Sequence, residues 1–301
     1  MATKPLAALI TRLARRVRCS VAIIASSQDA LMKTVLICHD GAHLDQVGLA
    51  RWMGSFTDLA GIIVLRESKQ RMWQRVRKEI QRSGLLRFAD VAAFRLYYRM
   101  FLAQRDRAWE EAELTRLKQQ YPESQTAPRI CYTNSPNSSE ARAFLKEIAP
   151  DLMIARCKTL LKPEVFSIPR HGTFVLHPGM CPEYRNAHGC FWALANGEPE
   201  KVAVTLLRID TGVDTGPVYG YFSCNFDSLN DSHIVIQTKA VTANLDAIWL
   251  KLEEIVAGSA SAITTQGRHT AVWGQPWLTK YFAWKRSAQR IHHASCHPAL
   301  S

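Results

Sequence analysis

The sequence predicts an α/β protein: an open, mostly parallel sheet with helices on both faces and one helical insertion. Three observations predict it. Short apolar runs of strand length, at 35–38, 61–65, 130–132 and 152–155, alternate with stretches of helical periodicity at 44–53 and 140–148. Turn-forming residues, among them His39-Asp40-Gly41 and Asn134-Ser135-Pro136-Asn137, separate the runs. Between the second and third runs, residues 68–121 read as long helices.

In chain order, residues 1–31 carry Lys4, Arg12, Arg15, Arg16 and Arg18 and no acid before Asp29. A targeting peptide has that composition. Met32, directly before the first strand, reads as a natural start, so this stretch is expected to be a disordered basic extension. No G-x-G-x-x-G follows the first strand, so the dinucleotide fingerprint is missing. His39 and His43 read as loop and helix-start residues. In the insertion, Lys69, Arg71, Arg75, Arg77, Lys78 and Arg82 form a basic face, followed by a dense apolar stripe from Leu85 to Leu102. The expected role is a helical pair packed on the sheet or at a homodimer contact. Contact with an anionic membrane surface or with nucleic acid are the alternatives.

A short helix at 163–168 precedes a second set of runs at 173–176, 202–209 and 218–222. Asp231 and Ser232 can cap one long helix, 233–257, ended by Gly258. A short strand ending in Pro276 and an aromatic helix, 277–290, close the chain, with His292, His293 and His297 in a frayed tail. The run at 173–176 ends at His177-Pro178-Gly179, and the run at 202–209 ends in a turn-rich loop holding Asp210 and Asp214. A histidine and an aspartate therefore leave neighbouring strands, and the C-terminal edge of an open α/β sheet is where ligands bind. A carboxylate beside an imidazole fixes its tautomer and stabilises its protonated form, which suits proton transfer.

His177-Pro178, Pro182-x-Tyr184-Arg185, Trp192-Ala193-Leu194, Asn196-Gly197-Glu198 and Asp214-Thr215-Gly216 together resemble the folate-dependent formyltransferase family. A weaker match runs back to Asp151. The resemblance implies a Rossmann-like fold and transfer of a formyl group from 10-formyltetrahydrofolate to an amine. It implies an acid/base and electrostatic role for His177, with Asp214 orienting that ring. By the same resemblance, Thr159 and Leu161 lie on the loop that holds the pterin, mostly through backbone groups, and Lys158 could meet the folate tail. The family's asparagine two residues before the histidine is Val175 here, and its glycine after Tyr-Arg is Asn186. The lost donor is worth about 3 kcal/mol at a transition state, and Asn186 and His188 are the candidate replacements. Asp210 reads as a turn carboxylate, Tyr184 and Arg185 as loop scaffold, and Trp192 as core.

Composition sets the remaining bounds. The net charge of +12 suits anionic partners without choosing among them. Eight cysteines with no C-x-x-C pair suit a reducing, cytoplasmic compartment and no metal site; Cys181 and Cys190 read as packing residues. No apolar run is long enough to span a bilayer. The expected organisation is a catalytic domain at 32–258, with the insertion at 68–121, and a short extension at 259–301. The 84 residues after Pro217 leave no room for a C-terminal β-barrel. The expected acceptor is therefore a small molecule, an amino sugar or a nucleotide-linked amine. A formyltetrahydrofolate hydrolase and a catalytically degenerate folate-binding protein are the alternatives.

Overall fold

The computed structural model describes residues 31–66 and 84–296, with scattered positions between 73 and 81. The basic extension, most of the basic face (Lys69, Arg71, Arg75, Lys78 and Arg82) and His297 lie outside the described residues. From Lys33 onward the chain forms one compact unit.

A seven-stranded sheet runs through that unit. Its strands are β1 (Lys33–His39), β2 (Asp58–Leu65), β3 (Arg129–Thr133), β4 (Leu152–Ala155), β5 (Thr173–Pro178), β7 (Ala203–Arg208) and β8 (Val218–Ser223), in the order β3-β2-β1-β4-β5-β7-β8. A separate pair joins β6 (Arg185–Asn186) to β9 (Val272–Trp273). The first five strands of the large sheet pair in parallel. Parallel strands are covered on both faces, which is why β1 is an unbroken apolar run, with Val35, Leu36, Ile37 and Cys38 fully buried. Strand β3 is the edge and differs accordingly: Ile130 and Tyr132 are about half exposed, and the Arg66 guanidinium lies 4.1 Å from the Tyr132 ring centre. This is a Rossmann-like α/β fold.

A π-helical segment, Leu44–Leu49, runs into α1 (Ala50–Gly54) after β1. The insertion holds α2 (Leu85–Tyr97), a π-turn (Tyr98–Leu102) and α3 (Ala103–Gln120). Its apolar stripe buries only Val91, Phe94 and Leu102, while Leu86, Leu96, Met100 and Phe101 stay exposed. Helix α4 (Ser139–Ile148) starts where the sequence places it, because the Ser138 hydroxyl accepts from the Ala141 amide. Helix α5 (Pro163–Phe166) precedes β5, and α6 (Gly189–Ala195) follows β6.

Two expectations fail in instructive ways. The helix expected over 233–257 is two helices, α7 (His233–Thr242) and α8 (Leu245–Val256). The break sits at Asn244, whose side-chain amide donates to the Ser223 and Ala240 carbonyls, 2.9 Å each. Asparagine competes with the helical backbone in this way, and here it ties the end of α7 to β8. The second failure concerns direction. Strands β5 and β7 are antiparallel, with Phe174 opposite Arg208 and His177 opposite Thr205. Their C-terminal ends therefore lie at opposite edges of the sheet.

The C-terminal segment covers the motif loop. Strand β9 pairs with β6, and α9 (Leu278–Cys296) packs on α6 and α2. Arg268 grips the buried Glu183 with two hydrogen bonds of 2.9 and 2.7 Å, and a third, 2.6 Å, reaches the Tyr221 hydroxyl. Arg268→Met leaves that carboxylate buried and unpaired. Because Arg268 is partly exposed, the expected loss is about 2 kcal/mol, below the range for a fully buried pair. The urea midpoint measures it, and adding Glu183→Gln should recover most of the loss.

Candidate active site

The site begins with the pleat of β5. Residues two apart share a face, so Val175 and His177 point the same way. The loop after β7 starts at the far edge of the sheet, three residue pairs from His177. At 3.3 Å per residue it must travel back about 10 Å along that face. It does so, and Asp214 Oδ2 comes within 3.4 Å of His177 Nδ1. Arg185 holds the returning loop by donating to the Val213 carbonyl, 3.3 Å away. Asp214 itself takes a left-handed backbone, φ 50°. Its Oδ2 also accepts the Asn186 amide at 2.7 Å. Asp210 shapes the same loop by accepting from the Gly212 amide and the Thr215 hydroxyl, as its turn position suggested.

His177 is 4% exposed, and its other nitrogen, Nε2, lies 2.7 Å from the Tyr184 carbonyl. A carbonyl only accepts, so Nε2 carries a hydrogen. The Asp214 carboxylate faces Nδ1 on the other side of the ring, so the two partners fix the ring's orientation. Tyr184 is held in turn: its hydroxyl bonds Glu198, the Asn196 amide donates to it at 3.3 Å, and its ring stacks on Trp273. Asn196 and Glu198 of that motif thus tether the residue whose carbonyl accepts the His177 hydrogen bond.

The other candidate residues divide. Val175 packs between two apolar clusters, one with Cys181, Leu207 and Val218, the other with Leu161 and Val165. Asn186 reaches the site through its backbone amide only, because its side chain donates to the Trp273 carbonyl. The His188 ring lies 5.5 Å from that of His233 and is hydrogen-bonded to the side chains of Gln237 and Gln275. Neither residue turns a side-chain donor toward His177. Leu161 is 7% exposed, with its side chain in the core, and Thr159 offers a carbonyl to the Cys157 thiol. Burial pushes the Cys190 thiol up to about 12 and lifts Cys181 further, so both stay protonated packing residues.

Several participants carry no sequence signal of their own. Arg156 fills the gap between β1 and β4, where strand order reverses; it pairs with Asp45 at 3.3 Å and donates to the Leu176 carbonyl at 2.7 Å. Asn137 pins the 156–162 loop from outside, accepting from the Lys162 amide and donating to the Leu160 carbonyl, 2.8 Å each. Trp273 and Arg268 come from a segment that reads as an appendage. Among the described residues, no group of three histidines, cysteines or carboxylates is placed to hold a metal ion.

The family model for formyl transferase matches residues 104–249, which hold β3 through β8 and the whole His177–Asp214 pair. Residues 104–249 belong to the formyl transferase family. The chain is 30% identical over 170 residues to the methionyl-tRNA formyltransferase of Synechocystis sp., an alignment covering 53% of this chain and 50% of that one. The methionyl-tRNA formyltransferase of Dehalococcoides mccartyi is 40% identical over 81 residues, 27% of this chain and 26% of that one. The chain thus matches half or less of the length of these curated relatives. Among solved structures, a sugar N-formyltransferase from Shewanella sp. superposes with a TM-score of 0.49 at 11% identity, covering 85% of this chain and 87% of that one. The phosphoribosylglycinamide formyltransferase of Anaplasma phagocytophilum superposes with a TM-score of 0.48 at 14% identity, covering 82% and 100%. No described helix of the chain is long and apolar enough to cross a membrane.

Proposed function

We propose that this protein transfers a formyl group from 10-formyltetrahydrofolate to the amine of a small acceptor, an amino sugar or a nucleotide-linked amine. The His177–Asp214 pair inside the family-matched region carries the reading. The surroundings suit such a donor. Leu161, Phe166, Val175 and Ile209 belong to one apolar cluster beside the 156–162 loop, and Asn137 holds that loop still. An apolar wall with backbone groups at its rim fits a flat heterocycle, and the exposed Lys158 fits an anionic tail. The donor supplies an electrophilic carbon.

The chain's own groups do the rest. His177, oriented by Asp214, is the group that takes the proton released by the attacking amine and faces the oxygen on which negative charge develops. Asp214 holds the ring and, through its second contact, the Asn186 backbone. For Nε2 to face the reacting oxygen, the ring exchanges its bond to Tyr184. Cys38, Cys131, Cys181, Cys190 and Cys224 form no disulfide, and we place the protein in the cytoplasm on that ground.

A second reading, a site that binds the donor without turnover, is favoured by one observation: Val175 offers no donor and is packed among apolar side chains. Purified protein with 10-formyltetrahydrofolate and a panel of amines separates the readings. We expect amine-dependent turnover that falls by a factor of about 10²–10⁴ in His177→Asn. Formate release without amine indicates the hydrolase. Binding without turnover, with activity appearing in Val175→Asn, indicates the degenerate site.

A further inference from the structure

Helix α2 is apolar on both of its sides. Val91 and Phe94 are its buried residues. At 3.6 residues per turn the opposite side carries Leu85, Ala89, Ala92, Ala93 and Leu96, and all five are exposed. A surface helix ordinarily shows charged and polar residues there. The stripe continues into the π-turn with Met100 and Phe101. Leu86 is 91% exposed, and Leu85, Leu96, Met100 and Phe101 lie between 60% and 75%. Helix α9 widens the patch. The Tyr97 ring packs against Phe101, with centres 5.0 Å apart, and against Phe282 at 5.2 Å, and Phe282 is itself exposed. Single exposed apolar side chains are ordinary, whereas a contiguous set along about four turns marks a contact surface.

The charges beside this surface narrow what covers it. Between Leu85 and Arg105 stand Arg87, Arg95, Arg99 and Arg105, with Asp90 as the sole carboxylate. Asp90 is engaged, because it accepts from the Thr279 amide and hydroxyl. Helix α9 carries Lys280, Lys285, Arg286 and Arg290 and no carboxylate. Arg286 follows Phe282 by one turn and so shares its side of the helix. A second copy of the chain would bring these cations against their own kind, since a two-fold contact uses the same patch twice. Nucleic acid would meet the arginines, but it offers phosphates and base faces to a surface of leucine, alanine and methionine. An anionic bilayer supplies both counterparts, acidic headgroups for the cations and hydrocarbon beneath them for the apolar stripe.

We propose that α2, the π-turn and the Phe282 side of α9 form a docking face for an anionic lipid bilayer, with the stripe lying in the headgroup plane. Co-sedimentation of the full chain with vesicles tests it. Vesicles holding about 30% phosphatidylserine should bind more than about tenfold tighter than pure phosphatidylcholine, and added salt should weaken them. Residues 1–31 bring cations of their own, so the deciding variant keeps every cation. Leu86→Ser with Leu96→Ser and Met100→Ser should weaken binding to the anionic vesicles by more than about tenfold. Arg99→Gln with Arg286→Gln should weaken the same vesicles about tenfold and leave phosphatidylcholine unchanged. All five side chains are exposed, so both variants should keep the wild-type unfolding midpoint. The proposal is overturned if the chain fails to bind at millimolar anionic lipid, if phosphatidylcholine binds equally well, or if the triple variant binds as the wild type does. It is equally overturned if the wild type is a dimer in sedimentation velocity that the triple variant makes monomeric. Weakening of an RNA oligonucleotide by the triple variant, to the same degree as the vesicles, also overturns it. None of these readings uses a formyl donor, so the result is independent of the transfer assay.

Discussion

Gly189→Ala should cost more than about 3 kcal/mol and dismantle the motif loop. A Cβ at Gly189 would stand 2.7 Å from the Gly179 Cα, 2.7 Å from the Tyr184 carbonyl oxygen and 2.8 Å from the Pro178 carbonyl oxygen. All three are backbone atoms, so none can swing away as a side-chain tip would. Gly179 faces the same contact from the other side and has φ 149°, a region that favours glycine. The two glycines let the loop double back tightly enough for the Tyr184 carbonyl to reach His177. Loss of the close approach therefore moves the His177 partner as well as weakening the fold. Gly197→Ala is the control. Gly197 also has a positive φ, 78°, but no atom lies within 4 Å of its Cβ position, so about 1 kcal/mol of strain is expected. Chemical denaturation of the two variants, with the His177 ring resonances as a local readout, checks the contrast.

Stability should fall steeply as pH drops from about 6.5 toward about 4. The folded chain holds His188 at a pKa of about 4, through burial first and then Lys158 and Arg95. Gln237 and Gln275 oppose that shift through hydrogen bonds. His233 is depressed too, by burial, His188 and Lys285. Above pH 6.5 neither ring carries a proton in either state, and the full stability is present. Below 6.5 the unfolded chain takes up protons that the folded chain refuses, so the unfolded state gains. For His188 alone the loss approaches about 3 kcal/mol by pH 4. His233→Phe should flatten the slope between pH 6.5 and pH 4, as measured by thermal unfolding across that range. A slope unchanged in both His233→Phe and His188→Asn would show that the acid lability lies elsewhere.

The sheet was legible because parallel strands buried on both faces leave short unbroken apolar runs, as at Val35 to Cys38. The helix start at Ser138 was legible because capping is local chemistry. The His177–Asp214 pair was legible from a motif but not from the strand ends, because β5 and β7 run in opposite directions. Direction is set by which strand pairs with which, and no residue of β7 announces that it runs against β5. Asn244 was readable in principle, since asparagine inside an apolar helical pattern competes for the backbone. Arg268, Trp273 and His233 act through partners far away in sequence. His233 reads as the first residue of a helix, and its enclosure depends on side chains of the insertion.

Strand β9 has a bearing on how the chain reaches this state. Asn186 and Trp273 are 87 residues apart, and β8, the last strand of the large sheet, ends at Ser223. A nascent chain can complete its sheet while the piece that closes the motif loop is still unmade. Loop closure over such a separation is entropically dear and slows assembly. In the interval, β6 is an open edge beside apolar residues, a surface that chaperones engage and that invites mispairing between molecules. The histidine's surroundings are therefore complete only once residues 272–273 have been made.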